Sequence, residues 1–89
     1  MTEIAFATPL RRFVADSPAA HARGETLRDI ITAISAEHPQ FGAAVLRNGQ
    51  LVPYVHALID GQPAADLGGM DAPTATAAQI RFLTAVAGG

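Results

Sequence analysis

One helix-forming segment stands among several strand-forming ones, and that imbalance decides the fold class. Leu27, Ile30, Ile31 and Ile34 recur at i, i+3, i+4, i+7, the spacing of a single apolar helical stripe. Elsewhere the apolar residues alternate. Ile4 and Phe6 flank Ala5. Val55, Ala57 and Ile59 share one side of residues 54–60, and Ile80, Phe82, Thr84 and Val86 share one side of residues 79–87. One helix can bury that many strand faces only by lying across a single common sheet. The order is strand, strand, helix, strand, connection, strand, with the helix between the first and last strands. This predicts an α+β chain of the β-grasp type: a mixed sheet of four to five strands with one main helix on one face.

Local signals set the boundaries. Thr26 is a good N-cap, Asp29 completes a capping-box-like T-x-x-D, and Pro39 stops the helix near His38. The first strand occupies 3–8 and ends at Pro9, which lacks an amide donor. A second extended piece is expected within 11–23 around a turn at Asp16-Ser17-Pro18, leaving Arg11 and Arg12 as solvated charges at a strand end. Phe41 to Leu46 is expected to form a short helical turn. Asn48-Gly49 and Asp60-Gly61 are tight-turn dipeptides. Residues 63–78, rich in Pro, Gly, Ala and Thr, form a wound connection into the last strand, 79–87.

Eighty-nine residues are expected to make one domain, 1–89, with a flexible C-terminal tail at 85–89. Folding at this mass buries roughly 63 % of the unfolded surface, enough for a core without staples. The absence of cysteine excludes a disulfide scaffold, a thiolate zinc site and a cysteine nucleophile, and it suits a cytoplasmic protein. A net charge of −2 argues against nucleic acid or an anionic membrane as partner. The apolar runs are too short to span a bilayer.

Catalytic constellations are missing too. His21, His38 and His56 lie 17 and 18 residues apart, which is no metal-ligand spacing. No G-x-S-x-G or Walker sequence is present, and the carboxylates are scattered. Gly68-Gly69 opens no helix after a strand, so it reads as a bend rather than a phosphate loop. An enzyme built from this chain alone is not expected.

The sequence finishes Ala85-Val86-Ala87-Gly88-Gly89: small, uncharged, and without a Cβ on the last two residues. Two glycines at a given pair of positions arise by chance about 0.5 % of the time. Extended, these residues reach about 16 Å, so they suit entry into a narrow tunnel of another protein. A terminal carboxylate, with a pKa of about 3.5, is ionised and a poor electrophile at neutral pH, so it needs activation before anything attaches to it.

Several segments resemble one family in order and spacing. Gly24-Glu25-Thr26-Leu27-Arg28-Asp29-Ile30 is similar to its G-x-T-L-x-E-V helix opening, and His38-Pro39-Gln40-Phe41 to its Y-P-G-L. Tyr54-Val55-His56-Ala57-Leu58-Ile59-Asp60-Gly61 resembles its V-N-V-F-V-N-G strand and turn. Asp66-Leu67-Gly68-Gly69-Met70, followed by Thr74, resembles its small loop before the last strand. With the ending AVAGG, the chain resembles the ThiS/MoaD group of ubiquitin-like sulfur carriers, and within it the actinobacterial carriers for cysteine synthesis and the molybdopterin-synthase small subunits. Two departures stand out: the acidic D-G-D before the last strand is replaced by Ala77-Ala78-Gln79, and Thr84 stands where many relatives have proline.

The resemblance implies a non-catalytic carrier. Gly89 would be adenylated and converted to a thiocarboxylate, with Ala85, Val86, Ala87 and Gly88 entering the partner's active site. It implies an E1-like adenylyltransferase, which uses the ATP, and a downstream sulfur-accepting synthase. A protease exposing the C-terminus would be a further partner, and no cofactor would be held by the chain itself. The acceptor stays open among cysteine, molybdopterin, thiazole and secondary-metabolite pathways. So do two other roles, a ubiquitin-like modifier linked through Gly89 and a non-catalytic adaptor. Leu58 and Leu83 fall on the sheet face opposite the helix, with Ala5, Ala7 and Ala85. In the family such positions carry large apolar residues at partner interfaces. Arg81, between them, is the candidate for pairing with an acidic group on the activating enzyme.

Overall fold

The computed structural model describes residues 1–84. Its main sheet has five strands in the order β2-β1-β7-β5-β6: β1 Thr2–Phe6, β2 Ala19–Ala22, β5 Val55–Ile59, β6 Gln62–Pro63 and β7 Gln79–Thr84. A separate two-stranded hairpin joins β3 Leu46–Arg47 to β4 Gln50–Leu51. The sheet is mixed: β7 runs parallel to β1 and antiparallel to β5, so the first and last strands lie side by side at its centre. This is the β-grasp arrangement expected from the sequence.

The main helix, α2 Leu27–Glu37, starts and stops where its signals place it. Thr26 Oγ1 accepts a hydrogen bond from the Asp29 amide, and Asp29 Oδ2 accepts from the Thr26 amide, both at 3.3 Å. This reciprocal box satisfies amides that the first turn leaves unpaired. His38 caps the other end, its amide donating to Ile34 O at 2.8 Å. Pro39 then opens α3 Pro39–Val45, where its fixed φ suits a first helical turn. The helical turn expected from Phe41 therefore begins two residues earlier.

Strand phase and helix stripe meet in one core. Ile4, Phe6, Val55, Ala57, Ile59, Ile80 and Phe82 are buried beneath Leu27, Ile30, Ile31 and Ile34 of α2 and Phe41 and Val45 of α3. Phe6, Phe41 and Phe82 form a cluster at its centre. Phe41 meets the other two edge-on at 5.4 and 5.3 Å between centroids, while Phe6 and Phe82 stack at 6.0 Å.

One segment departs from the sequence reading. Residues 11–14 are not extended: a short helix, α1 Thr8–Arg11, passes into a 3₁₀ turn at Arg12–Val14. Pro9 sits in the first turn of that helix instead of merely ending a strand, and Leu10 and Val14 are buried beneath it. Arg11 is consequently not a free charge at a strand end; its Nε donates to Phe6 O at 3.0 Å. Ala15 and Asp16, both at positive φ, reverse the chain into β2.

The connection at 63–78 is wound as expected, through 3₁₀ turns at Ala64–Leu67 and Gly69–Asp71. Gly68, at φ 110°, makes the bend between them. The loop that follows seals the helix opening. Thr74 Oγ1 donates to Gly24 O at 2.8 Å, the Thr74 amide to Glu25 O at 2.9 Å, and the Leu27 amide to Ala72 O at 3.0 Å.

Candidate docking face and the end of the central strand

Because α2 and α3 cover one face of the sheet, the other face is left open. Register places its occupants. Ala5 lies opposite Arg81, Arg81 opposite Leu58, and Leu83 opposite His56. Residues opposite one another on neighbouring strands point to the same side. The three candidate docking residues, Leu58, Arg81 and Leu83, therefore share one face, as the alternation predicted. Leu58 and Leu83 are half-buried and Arg81 is exposed. Among the described residues Arg81 has no carboxylate partner; the ion pair found there joins Arg28 to Asp71 at 3.3 Å.

Leu83, Arg81, Ala5 and Ala7 also border a shallow recess of 310 Å³, into which Thr8 and Arg11 project from the α1 side. The open face thus carries Leu58, Leu83, Ala5 and Arg81 together with His56 and the hydrogen-bonded pair Glu3 and Gln79, with Arg11 at the edge of the recess. No cluster of three or more metal-ligating side chains occurs among the described residues. His21 lies on β2, His38 at the junction of α2 and α3, and His56 on β5, so the fold keeps the histidines apart.

The candidate tail, Ala85, Val86, Ala87, Gly88 and Gly89, lies outside the described residues, as does the last part of the strand expected at 79–87. Thr84 is the last described residue of the central strand and pairs with Val55. Beside it, the Ala7 amide donates to Phe82 O at 2.9 Å. A second feature adjoins the same end of the sheet, on the helix-covered side. A groove of 720 Å³ is lined by α1 and Phe13, by Ala43, Ala44 and Leu46, by Arg47 and Val52, and by Tyr54 and Thr84. Sequence reasoning does not find it, because its walls come from segments far apart in the chain. The one available signal was the i, i+3, i+4 spacing of Leu10, Phe13 and Val14, which marks a helical stripe.

No family model and no curated protein matches the chain. Solved structures do. A chain of the Amycolatopsis orientalis BexX/CysO complex is 22 % identical with a TM-score of 0.93, covering 100 % of both chains. Mycobacterium tuberculosis CysO is 20 % identical with a TM-score of 0.89, over 97 % of this chain and 100 % of its own. Small archaeal modifier protein 1 from Methanosarcina acetivorans is 20 % identical with a TM-score of 0.83, over 99 % and 95 %. At these identities the likeness establishes the fold. It is the ubiquitin-like β-grasp that the sequence predicted.

Proposed function

We propose that this protein is a sulfur carrier whose C-terminal glycine is its reactive residue. The Gly89 carboxylate attacks the α-phosphorus of ATP on a partner adenylyltransferase, and pyrophosphate leaves. A sulfide-level nucleophile then attacks the acyl carbon, and AMP leaves. The resulting thiocarboxylate passes its sulfur to a biosynthetic synthase. The chain contributes no catalysis; it supplies a stable handle, an open face carrying Leu58, Arg81 and Leu83 for docking, and a tail thin enough to reach an enclosed site. In this reading the ATP is bound by the partner adenylyltransferase.

The observation that carries this reading is full-length superposition on a chain of the BexX/CysO complex, combined with a Gly-Gly ending five residues after Thr84, the last described residue. That a fold neighbour was solved together with another protein supports a partner-dependent role. The acceptor, whether cysteine, molybdopterin, thiazole or a secondary metabolite, is left to the partner. The likeness to small archaeal modifier protein 1 favours one alternative, a modifier joined to target amines through Gly89.

Deleting Gly89, or substituting Gly88→Val, is expected to leave the fold intact and abolish activation. Pyrophosphate release with the source organism's adenylyltransferase measures it, and normal turnover by either variant would defeat both readings. Intact mass of the protein from its host separates them. Exchange of one oxygen for sulfur marks the carrier, branched Gly-Gly peptides on other proteins mark the modifier, and neither marks an adaptor.

A further inference from the structure

The groove beside Thr84 has the makings of an interface that the open sheet face does not include. Leu10 and Val52 form a buried floor, Phe13 and Leu46 are half-buried walls, and the short side chains of Ala43 and Ala44 leave the space between α3 and α1 unfilled. Tyr54, at the rim, is 47 % exposed, the only large apolar side chain besides Met1 so placed among the described residues. Tyrosine and arginine are among the side chains that most often dominate binding energy once a partner covers them.

Charge points to the occupant. The chain as a whole carries −2, yet none of the residues lining this groove is acidic. Arg47 lines it and is exposed, and the Arg12 guanidinium sits 5.1 Å from the centroid of Phe13. Neither arginine has a carboxylate within ion-pair distance among the described residues. A basic-rimmed apolar groove on an acidic protein is complementary to an apolar segment flanked by carboxylates. Position names the partner: Thr84 belongs to both the central strand and the groove wall, so a protein working on the residues that follow must approach this end of the sheet.

We propose that this groove is a second docking site for the activating enzyme, and that it receives an apolar, Asp/Glu-flanked segment of that enzyme. The proposal rests on the carrier reading. With the open face held on one side and the groove on the other, the enzyme grips the sheet end from both sides and fixes the direction in which the tail leaves.

The test titrates isotope-labelled protein with the source organism's adenylyltransferase, following amide shifts, affinity and pyrophosphate release. Tyr54→Ser and Arg47→Glu both alter exposed side chains, and unchanged thermal melts check that they fold. Each is expected to weaken binding about tenfold or more. Shifts are expected at Phe13, Leu46 and Tyr54 as well as at Leu58 and Leu83. Affinity is expected to fall with added salt, less steeply for Arg47→Glu. If the wild type is activated and both variants bind as it does, the groove is no dock and the carrier reading stands. If the folded wild type is not activated at all, the carrier reading fails and takes this assignment with it. Movement of groove resonances in the free protein on removing residues 85–89, or on dilution, would assign the groove to the chain's own terminus or to a second copy and overturn the proposal.

Discussion

Asp60 and Gln79 hold each other twice. The Asp60 amide donates to Gln79 O at 2.9 Å, and Asp60 Oδ1 accepts from the Gln79 amide at 2.9 Å and from the Ala78 amide at 3.0 Å. Asp60 also sits at φ 49° in the turn after β5. One side chain therefore shapes that turn and satisfies the amides that open the central strand. Asp60→Ala is expected to cost about 1–3 kcal/mol, by stranding those amides and placing alanine at positive φ. Asp60→Asn should retain most of the stability, since its amide oxygen still accepts and asparagine tolerates the same backbone. Urea denaturation of both variants checks the difference.

Leu83 lies on the open face, opposite His56 and away from α2. Leu83→Asp should weaken binding to the adenylyltransferase about tenfold or more while leaving the melting temperature within a few degrees of wild type. A large loss of stability in calorimetry would put Leu83 in the core and remove it from the docking face.

Where α2 passes α3, a Cβ on Gly42 would stand 2.4 Å from Ser35 Oγ and 3.2 Å from Ser35 Cβ. The Ser35 hydroxyl is buried with no hydrogen-bond partner. Ser35→Ala should be neutral or stabilising, because it deletes an unpaired polar group. Gly42→Ala should cost about 1–3 kcal/mol through overpacking, despite alanine's helix preference. Combined with Ser35→Ala, that cost should shrink, leaving a measurable coupling in a double-mutant cycle by chemical denaturation.

Every basic side chain in the sequence is an arginine, which stays protonated and is no nucleophile at neutral pH. Lysine and cysteine are absent. An activated Gly89 therefore has no side-chain amine or thiol on another copy to attack it. Activation with ATP and a sulfide source should yield monomer carrying one sulfur. A denaturing gel showing a ladder linked through side chains would refute this.

What the sequence discloses is what short-range chemistry controls. The Thr26–Asp29 box, the stripe from Leu27 to Ile34, the alternation in residues 54–60 and the Asp60-Gly61 turn each depend on neighbours within a few positions, and each appears where expected. Residues 8–14 do not, because proline carries two meanings. Pro9 at a strand end also suits the first turn of a helix, and burial of Leu10 and Val14 against the rest of the core selects the second. The Asp60 bridge to Gln79 spans nineteen positions and the groove spans most of the chain, so neither has a local signature. The candidate docking face lies between these cases. Alternation alone puts Leu58, Arg81 and Leu83 on one side, but only strand order makes them neighbours.

The parallel pairing of β1 with β7 runs from Glu3 beside Gln79 to Phe6 beside Phe82. Two adjacent strands pointing the same way put Thr2 at one end of the sheet and Thr84 at the other. Tension between the two ends of the chain therefore slides the central strands along each other and strains all their hydrogen bonds at once. An antiparallel neighbour would instead open like a zipper, one bond at a time. Tension applied between the first and last strands therefore meets its greatest mechanical resistance along this direction, and the body stays folded under loads that would peel an antiparallel pair apart.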